Sequence, residues 1–311
     1  MQLRQALNAA VEHLTSANVP SPRMNAELLI MFTLDCDRAY LYAHPERELS
    51  PDELHRYEEA MARRATGVPA QYITGHQEFW GLDLIVSSAV LIPRPETEHV
   101  VEAVLEIAAT ARLPRDQEQS QNQKQDQRLR AGAPAPRRPS LSHNLRIVDV
   151  GTGSGAIALA LANELPTAKI HATDISYAAL EVARANAARH ELASRISFHL
   201  ADLLDEFAPA SFDIVVSNLP YVGESEEDSV QLEVRKFEPR DAVFAGPTGL
   251  EVIERLIPQA QAALAPGGWL VFEISGTIAD RVRELLSGWN EVVIRNDLQG
   301  IARVALAKKK F

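Results

Sequence analysis

A single cysteine, Cys36, stands among 311 residues. It rules out an internal disulfide and any zinc site built from clustered thiolates. The nine histidines are scattered, with no pair at metal-ligand spacing, so no resident metal is expected. Uninterrupted apolar runs are also missing: none approaches the roughly 20 residues needed to span a bilayer. The opening Met1-Gln2-Leu3-Arg4-Gln5-Ala6 enters helical patterning at once, without the apolar core of a secretory signal. Basic charge is in deficit, 31 Lys and Arg against 42 Asp and Glu, for a net charge of −11. That balance disfavours a protein whose affinity comes from neutralising many phosphates, so direct nucleic-acid binding is not expected. A cytoplasmic, reducing setting without membrane attachment is the expectation these absences leave.

What is present divides by character. Over residues 1–75 the pattern is short helices. Leu3, Leu7, Val11 and Leu14 recur at helical spacing. Ser21-Pro22 and Ser50-Pro51-Asp52-Glu53 read as helix starts, the second with a capping-box Glu, and that helix should stop at Gly67. A compact domain that recognises a substrate is the expected role. Residues 76–93, "HQEFWGLDLIVSSAVLIP", are rich in β-branched and aromatic residues and predict a connecting hairpin with Ser87-Ser88 at its turn. A helix follows from Pro95, and residues 94–311 form the expected catalytic domain. Within it, 114–143 carries Gln at alternate positions and then "AGAPAPRRPS"; with little to bury, it predicts a disordered insertion.

From 145 onward, strand-like runs alternate with helical ones: "LRIVDV", "KIHATDI", "RISFHLA", "FDIVVSN", "GGWLVFEI", "NEVVIRND" and "ARVALAK". Such alternation predicts a mainly parallel sheet with helices on both faces. "LQG" between the last two strands is too short for a crossover, so that pair should be antiparallel. The fold class expected is α/β: a Rossmann-like, seven-stranded sheet with an antiparallel last strand, plus the small N-terminal helical domain, an architecture that resembles the class I S-adenosylmethionine-dependent methyltransferases.

Two stretches carry chemistry. In "VDVGTGSGAIALALA", Gly151, Thr152, Gly153, Ser154 and Gly155 join a strand to a helix, letting backbone approach a ligand at the helix N-terminus. Asp174, at the next strand end, suits two ribose hydroxyls, in NAD or S-adenosylmethionine alike. Asp202, at the third strand end, adds an acceptor for an adenine amino group, favouring S-adenosylmethionine, or else caps a helix before "LLDEF". In "SNLPY", Asn218 and the carbonyl of Leu219 are two acceptors for the N–H bonds of an amide or aromatic amine. Held that way, a delocalised nitrogen is set in line with a transferable methyl. Pro220 keeps Leu219 extended, and Tyr221 offers a ring for stacking. The bland alternative is a strand-end turn. The acidic "GESEEDS" that follows reads as a solvated loop or as a surface steering a basic partner.

The chain resembles the glutamine methyltransferases that act on peptide-chain release factors (the PrmC/HemK family). The resemblance rests on "EFWGLDLIVSSAVLIPRPETE", "VDVGTGSGAIALALA", "NLPY" and "FEPRDAVFAGPTGLEVIERLI". It covers the chain from about Gln71 to the C-terminus, apart from 114–143. It implies methylation of the glutamine in a Gly-Gly-Gln tip, with S-adenosylmethionine as cofactor and release factors as partners. By matching position it assigns the cofactor to Gly151–Gly155, Asp174, Leu203 and Asn218, and the substrate to Asn218, Leu219, Pro220 and Tyr221. Leu219 departs from the commoner Asn-Pro-Pro-Tyr. A monomer is expected. The competing readings are glutamine methylation of a ribosomal protein, amino-methylation of adenine in DNA or RNA, and a binding module with a vestigial site.

Overall fold

A computed structural model describes residues 1–111 and 144–311. The Gln-rich stretch expected as an insertion, 114–143, lies outside the described residues. The chain packs as two compact units, one of residues 1–93 with 220–251, the other of 94–219 with 252–311.

The first unit is built on α1 (Leu3–Ser16), α2 (Pro22–Leu34), α3 (Arg38–Ala43), α4 (Pro51–Ala65) and α5 (Ala70–Thr74). The face of α1 that is fully buried is Leu3, Ala6, Ala10 and Leu14, with Leu7 and Val11 packed at its margin. Small alanines on the buried stripe bring α1 close to α2, whose Ala26, Leu29 and Ile30 are buried. Ser50 and Glu53 close the expected capping box at the start of α4, through Glu53 N–H to Ser50 Oγ (3.2 Å) and Ser50 N–H to Glu53 Oε2 (2.9 Å). Ser21 differs: Pro22 does open α2, yet Ser21 is left-handed and makes no side-chain cap bond.

The hairpin is β1 (His76–Phe79) against β2 (Leu82–Ile85), antiparallel. Its turn is Trp80-Gly81, not the Ser87-Ser88 expected from sequence. Both turn residues have positive φ, 54° and 72°, the geometry that matches a two-residue loop to the strands' twist. Glu78 fixes the turn by accepting the Gly81 N–H. The segment 220–251 in the same unit contributes β7 (Val222–Gly223), α9 (Leu232–Phe237), α10 (Arg240–Val243) and β8 (Phe244–Gly246), with β7 and β8 paired. Arg64, 3% exposed, ties it to the helices through Glu233 Oε2 (2.6 Å), while also donating to Asn25 and Val68.

In the second unit, a 3-10 turn at Pro95–Thr97 leads into α6 (Glu98–Ala111). The sheet then forms from β3 (Arg146–Val150), β4 (Lys169–Asp174), β5 (Ile196–Leu200), β6 (Phe212–Ser217), β9 (Leu264–Glu273), β10 (Asn290–Asn296) and β11 (Ala302–Lys308). Strand order is β10-β11-β9-β6-β3-β4-β5, parallel from β9 to β5 and antiparallel on both sides of β11. Crossover helices α7 (Ala156–Glu164), α8 (Tyr177–Arg189), α11 (Glu251–Ala263) and α12 (Ala279–Leu285) account for the alternation seen in sequence. The central strands are buried on both faces, which is why "IVDV" and "DIVV" read as near-continuous apolar runs. No described helix is long and apolar enough to cross a membrane.

Candidate active site

The parallel register aligns four neighbouring strand ends. Val150 pairs with Thr173 on one side and Ser217 on the other, and Asp174 pairs with Leu200. The glycine turn, Asp174, Asp202-Leu203 and Asn218-Leu219 therefore lie along one carboxyl edge, where open α/β sheets bind ligands. Ser217 Oγ donates to the Val150 carbonyl (2.6 Å) and locks the two central strands there.

Between β3 and α7, Gly151, Gly153 and Gly155 have φ of 70°, 55° and 85°, a region where L side chains are strained. The turn is held from three directions. Thr152 N–H donates to the Thr173 carbonyl (2.8 Å), Gly153 N–H to Asp174 Oδ2 (2.9 Å), and Asn186 Nδ2 to the Ser154 carbonyl (2.9 Å). A Cβ on Gly153 would meet nothing within 4 Å, so space lies open above the turn. A Cβ on Gly151 would come within 2.8 Å of Leu219 Cδ2, which shows that the leucine side chain packs onto the glycine turn.

Asp174 is fixed by two backbone donors, Gly153 N–H on Oδ2 and Ser176 N–H (2.8 Å) on Oδ1. Each oxygen keeps a lone pair for a further donor, as a pair of hydroxyls requires. Burial raises its pKa, against the opposing pull of those N–H bonds. Asp202 is not followed by an α-helix. Its carboxylate pairs with Arg255 at 2.5 Å, and Gln259 accepts the Leu204 N–H (2.9 Å), so α11 braces this turn. Leu203 is buried with φ of 59°.

Asn218 and Leu219 follow directly on β6; Leu219 is buried, and Asn218 Nδ2 donates to Thr97 Oγ1 (3.0 Å). Pro220 and Tyr221 continue the chain into the other compact unit. There, the Tyr221 carbonyl lies so near Gly249 that a Cβ on Gly249 would be 2.5 Å away. In the acidic stretch, Glu227 is engaged by Arg240 through two bonds (2.8 and 3.0 Å) and Asp228 by Arg235 (3.0 Å). Two of its acids are thus spent on internal pairing.

Three buried polar groups around the edge escaped the sequence reading. Asp149, 1% exposed, takes Thr152 Oγ1 (2.6 Å) and the Ala158 N–H (3.2 Å) on one oxygen, while its Oδ1 has no partner. Burial pushes its pKa up to about 7. An acid inside the apolar run "IVDVG" was the available signal. Asn186 and Thr97 gave none, because an Asn in an Ala-rich helix and a Thr in "RPETE" look like surface positions.

An open space above a left-handed glycine turn, a carboxylate with free lone pairs one strand over, and an orphaned buried acceptor beneath fit a bulky polar cofactor bearing hydroxyls and an amine. Together with the strand order and antiparallel β11, they define a class I S-adenosylmethionine-dependent methyltransferase. Among solved structures, the hMettl16 catalytic domain, seen with MAT2A 3'UTR hairpin 6, is 17% identical with a TM-score of 0.53. The match covers 81% of this chain and 82% of that one, and at this identity it concerns fold alone. The PrmC N-terminal domain family matches residues 5–75, and the methyltransferase small domain family matches 138–236. Release factor glutamine methyltransferase of Koribacter versatilis is 50% identical over 99% of both chains. Its namesakes in Moorella thermoacetica (39%; 100% of this chain, 99% of that one) and Coxiella burnetii (35%; 99% of each) align as fully. The chain belongs to the release factor glutamine methyltransferase family.

Proposed function

We propose that this enzyme methylates the side-chain amide nitrogen of the glutamine in the Gly-Gly-Gln tip of a peptide-chain release factor. The full-length likeness to relatives of that name is the observation that carries the reading. When bound, S-adenosylmethionine would supply a sulfonium methyl that passes to the amide nitrogen as the neutral thioether leaves, with one N–H proton released to solvent. The protein's task is then to place a weak nucleophile. An amide nitrogen shares its lone pair with the carbonyl, so two acceptors must take its two N–H bonds and leave the lone-pair direction facing the methyl. Asn218 Oδ1 and the Leu219 carbonyl, adjacent on one strand end, serve as those acceptors. Pro220 and Tyr221 complete the substrate contact. The cofactor is held by the Gly151–Gly155 turn, Asp174, Asp202 and Leu203. Every residue named comes from one chain, so a monomer suffices, working in the cytoplasm.

The test supplies labelled S-adenosylmethionine with a release factor, with its Gln-to-Ala tip variant, with ribosomal protein, or with DNA and RNA. Label should enter the intact release factor and not the tip variant. Label in nucleic acid or ribosomal protein, with none in the release factor, overturns the reading. Asn218→Ala should abolish transfer and leave cofactor binding largely intact.

A further inference from the structure

The "RPETE" stretch travels with the methyltransferase motifs in sequence, and one of its residues, Thr97, meets the site through the side-chain amide of Asn218, with no role yet assigned. Its geometry supplies one. Pro95 opens a 3-10 turn closed by Thr97 N–H to the Arg94 carbonyl (3.0 Å). The turn runs directly into α6, whose Val100, Val101, Ala103 and Val104 are buried and which packs on β6 and β9. Thr97 is thereby held beside the end of β6, 3% exposed, with its Oγ1 at 3.0 Å from Asn218 Nδ2.

We infer that Thr97 is a positioning residue for methyl transfer, acting through the side-chain amide of Asn218. The inference rests on the reading of Asn218 Oδ1 as an acceptor for the substrate amide. An asparagine amide has a donor end and an acceptor end on a single plane. Only one orientation works here. With Nδ2 turned to the substrate, two N–H donors would face each other and the nitrogen would be pushed out of line. With Oδ1 turned to the substrate, the part-buried Nδ2 faces the buried Thr97 side chain and needs an acceptor there, or its partial desolvation counts against that orientation. The Thr97 hydroxyl is that acceptor. Because a hydroxyl both donates and accepts, it does not itself choose the orientation. The substrate's N–H chooses, and Thr97 keeps that choice from leaving the part-buried Nδ2 without a partner.

Thr97→Val keeps the shape and removes the hydroxyl; Thr97→Ser keeps the hydroxyl and trims the methyl. Both are compared with the wild type for thermal unfolding, S-adenosylmethionine affinity, and kcat and KM on release factor, with Asn218→Ala alongside. Thr97→Val is expected to lower kcat about 10- to 100-fold, the cost of a partly desolvated donor left without its acceptor, with cofactor affinity little changed. Thr97→Ser should stay close to wild type. If the valine variant fails to fold, Thr97→Ala takes its place in the same comparison. Wild-type kcat in the valine variant overturns the inference, as does an equal loss in the serine variant, which would mean packing rather than hydrogen bonding. If Asn218→Ala itself transfers normally, the acceptor reading has failed. If it is inactive while Thr97→Val is normal, only the role of Thr97 has failed.

Discussion

Gly153 and Gly155 sit two residues apart in one turn, yet alanine at each should do opposite things. Both have positive φ, 55° and 85°, so each substitution carries the left-handed strain of an L residue, roughly 1–2 kcal/mol. The surroundings separate them. At Gly155 the new Cβ would lie 2.5 Å from Leu159 Cδ1, 3.2 Å from Ala183 Cβ and 3.4 Å from the Ala183 Cα. Leu159 and Ala183 are both fully buried, so relief requires shifting α8 away from α7, adding roughly 1–3 kcal/mol of overpacking. The expected total for Gly155→Ala is about 2–5 kcal/mol. At Gly153 nothing lies within 4 Å, so the stability loss is the strain alone. Its methyl instead projects into the space assigned to the cofactor, and affinity should fall at least about tenfold, the equivalent of 1.4 kcal/mol. Urea unfolding and titration calorimetry with S-adenosylmethionine, run on both variants, give the two axes. Gly155→Ala should lose mainly stability and Gly153→Ala mainly affinity. Equal stability losses, or wild-type affinity in Gly153→Ala, would refute the placement of the cofactor above the turn.

Two further outcomes follow from neighbouring residues. Leu219→Pro keeps the carbonyl at 219 and restores the commoner Asn-Pro-Pro-Tyr, so it should retain most activity in the transfer assay. A collapse with folding preserved would mean that the Leu219 N–H or its packing on Gly151 matters to the reaction. Asp149 gives a pH dependence to the free protein. Its pKa of about 7 stands above the ordinary carboxyl value because the charged form is buried, so the folded state holds the proton more tightly than the unfolded chain. Stability from this group is full below about pH 4 and falls as pH rises through 7, by on the order of 4 kcal/mol at most. Urea unfolding from pH 4 to 8 should show the decline, and Asp149→Asn should flatten it; a parallel decline in the variant would assign it elsewhere.

Much of the fold was legible because it obeys local rules. Strand-helix alternation, a capping box at Ser50 and a connection too short to cross a sheet depend only on neighbours in sequence. The hairpin was misplaced at its turn for an equally local reason. Ser87-Ser88 has turn-like composition, whereas Trp80-Gly81 places a bulky residue at φ of 54°, which composition alone argues against. The assignment of 220–251 was not legible at all. Its contacts with the helices run through Arg64 to Glu233 and through Gly67 to Phe237, pairs separated by more than 160 positions.

By itself, the sequence determined the chemistry on offer: a glycine turn after a strand, acids at successive strand ends, and an Asn-Leu-Pro-Tyr whose backbone carbonyl survives the change from proline. Those properties belong to residue types and their spacing. What only tertiary structure decided is how the polar atoms are spent. Parallel pairing sets Val150, Asp174 and Ser217 side by side, and folding buries Asp149, Asn186 and Thr97 against partners up to 121 positions away. A buried donor or acceptor takes its meaning from the group opposite it, and that group is chosen by packing rather than by sequence.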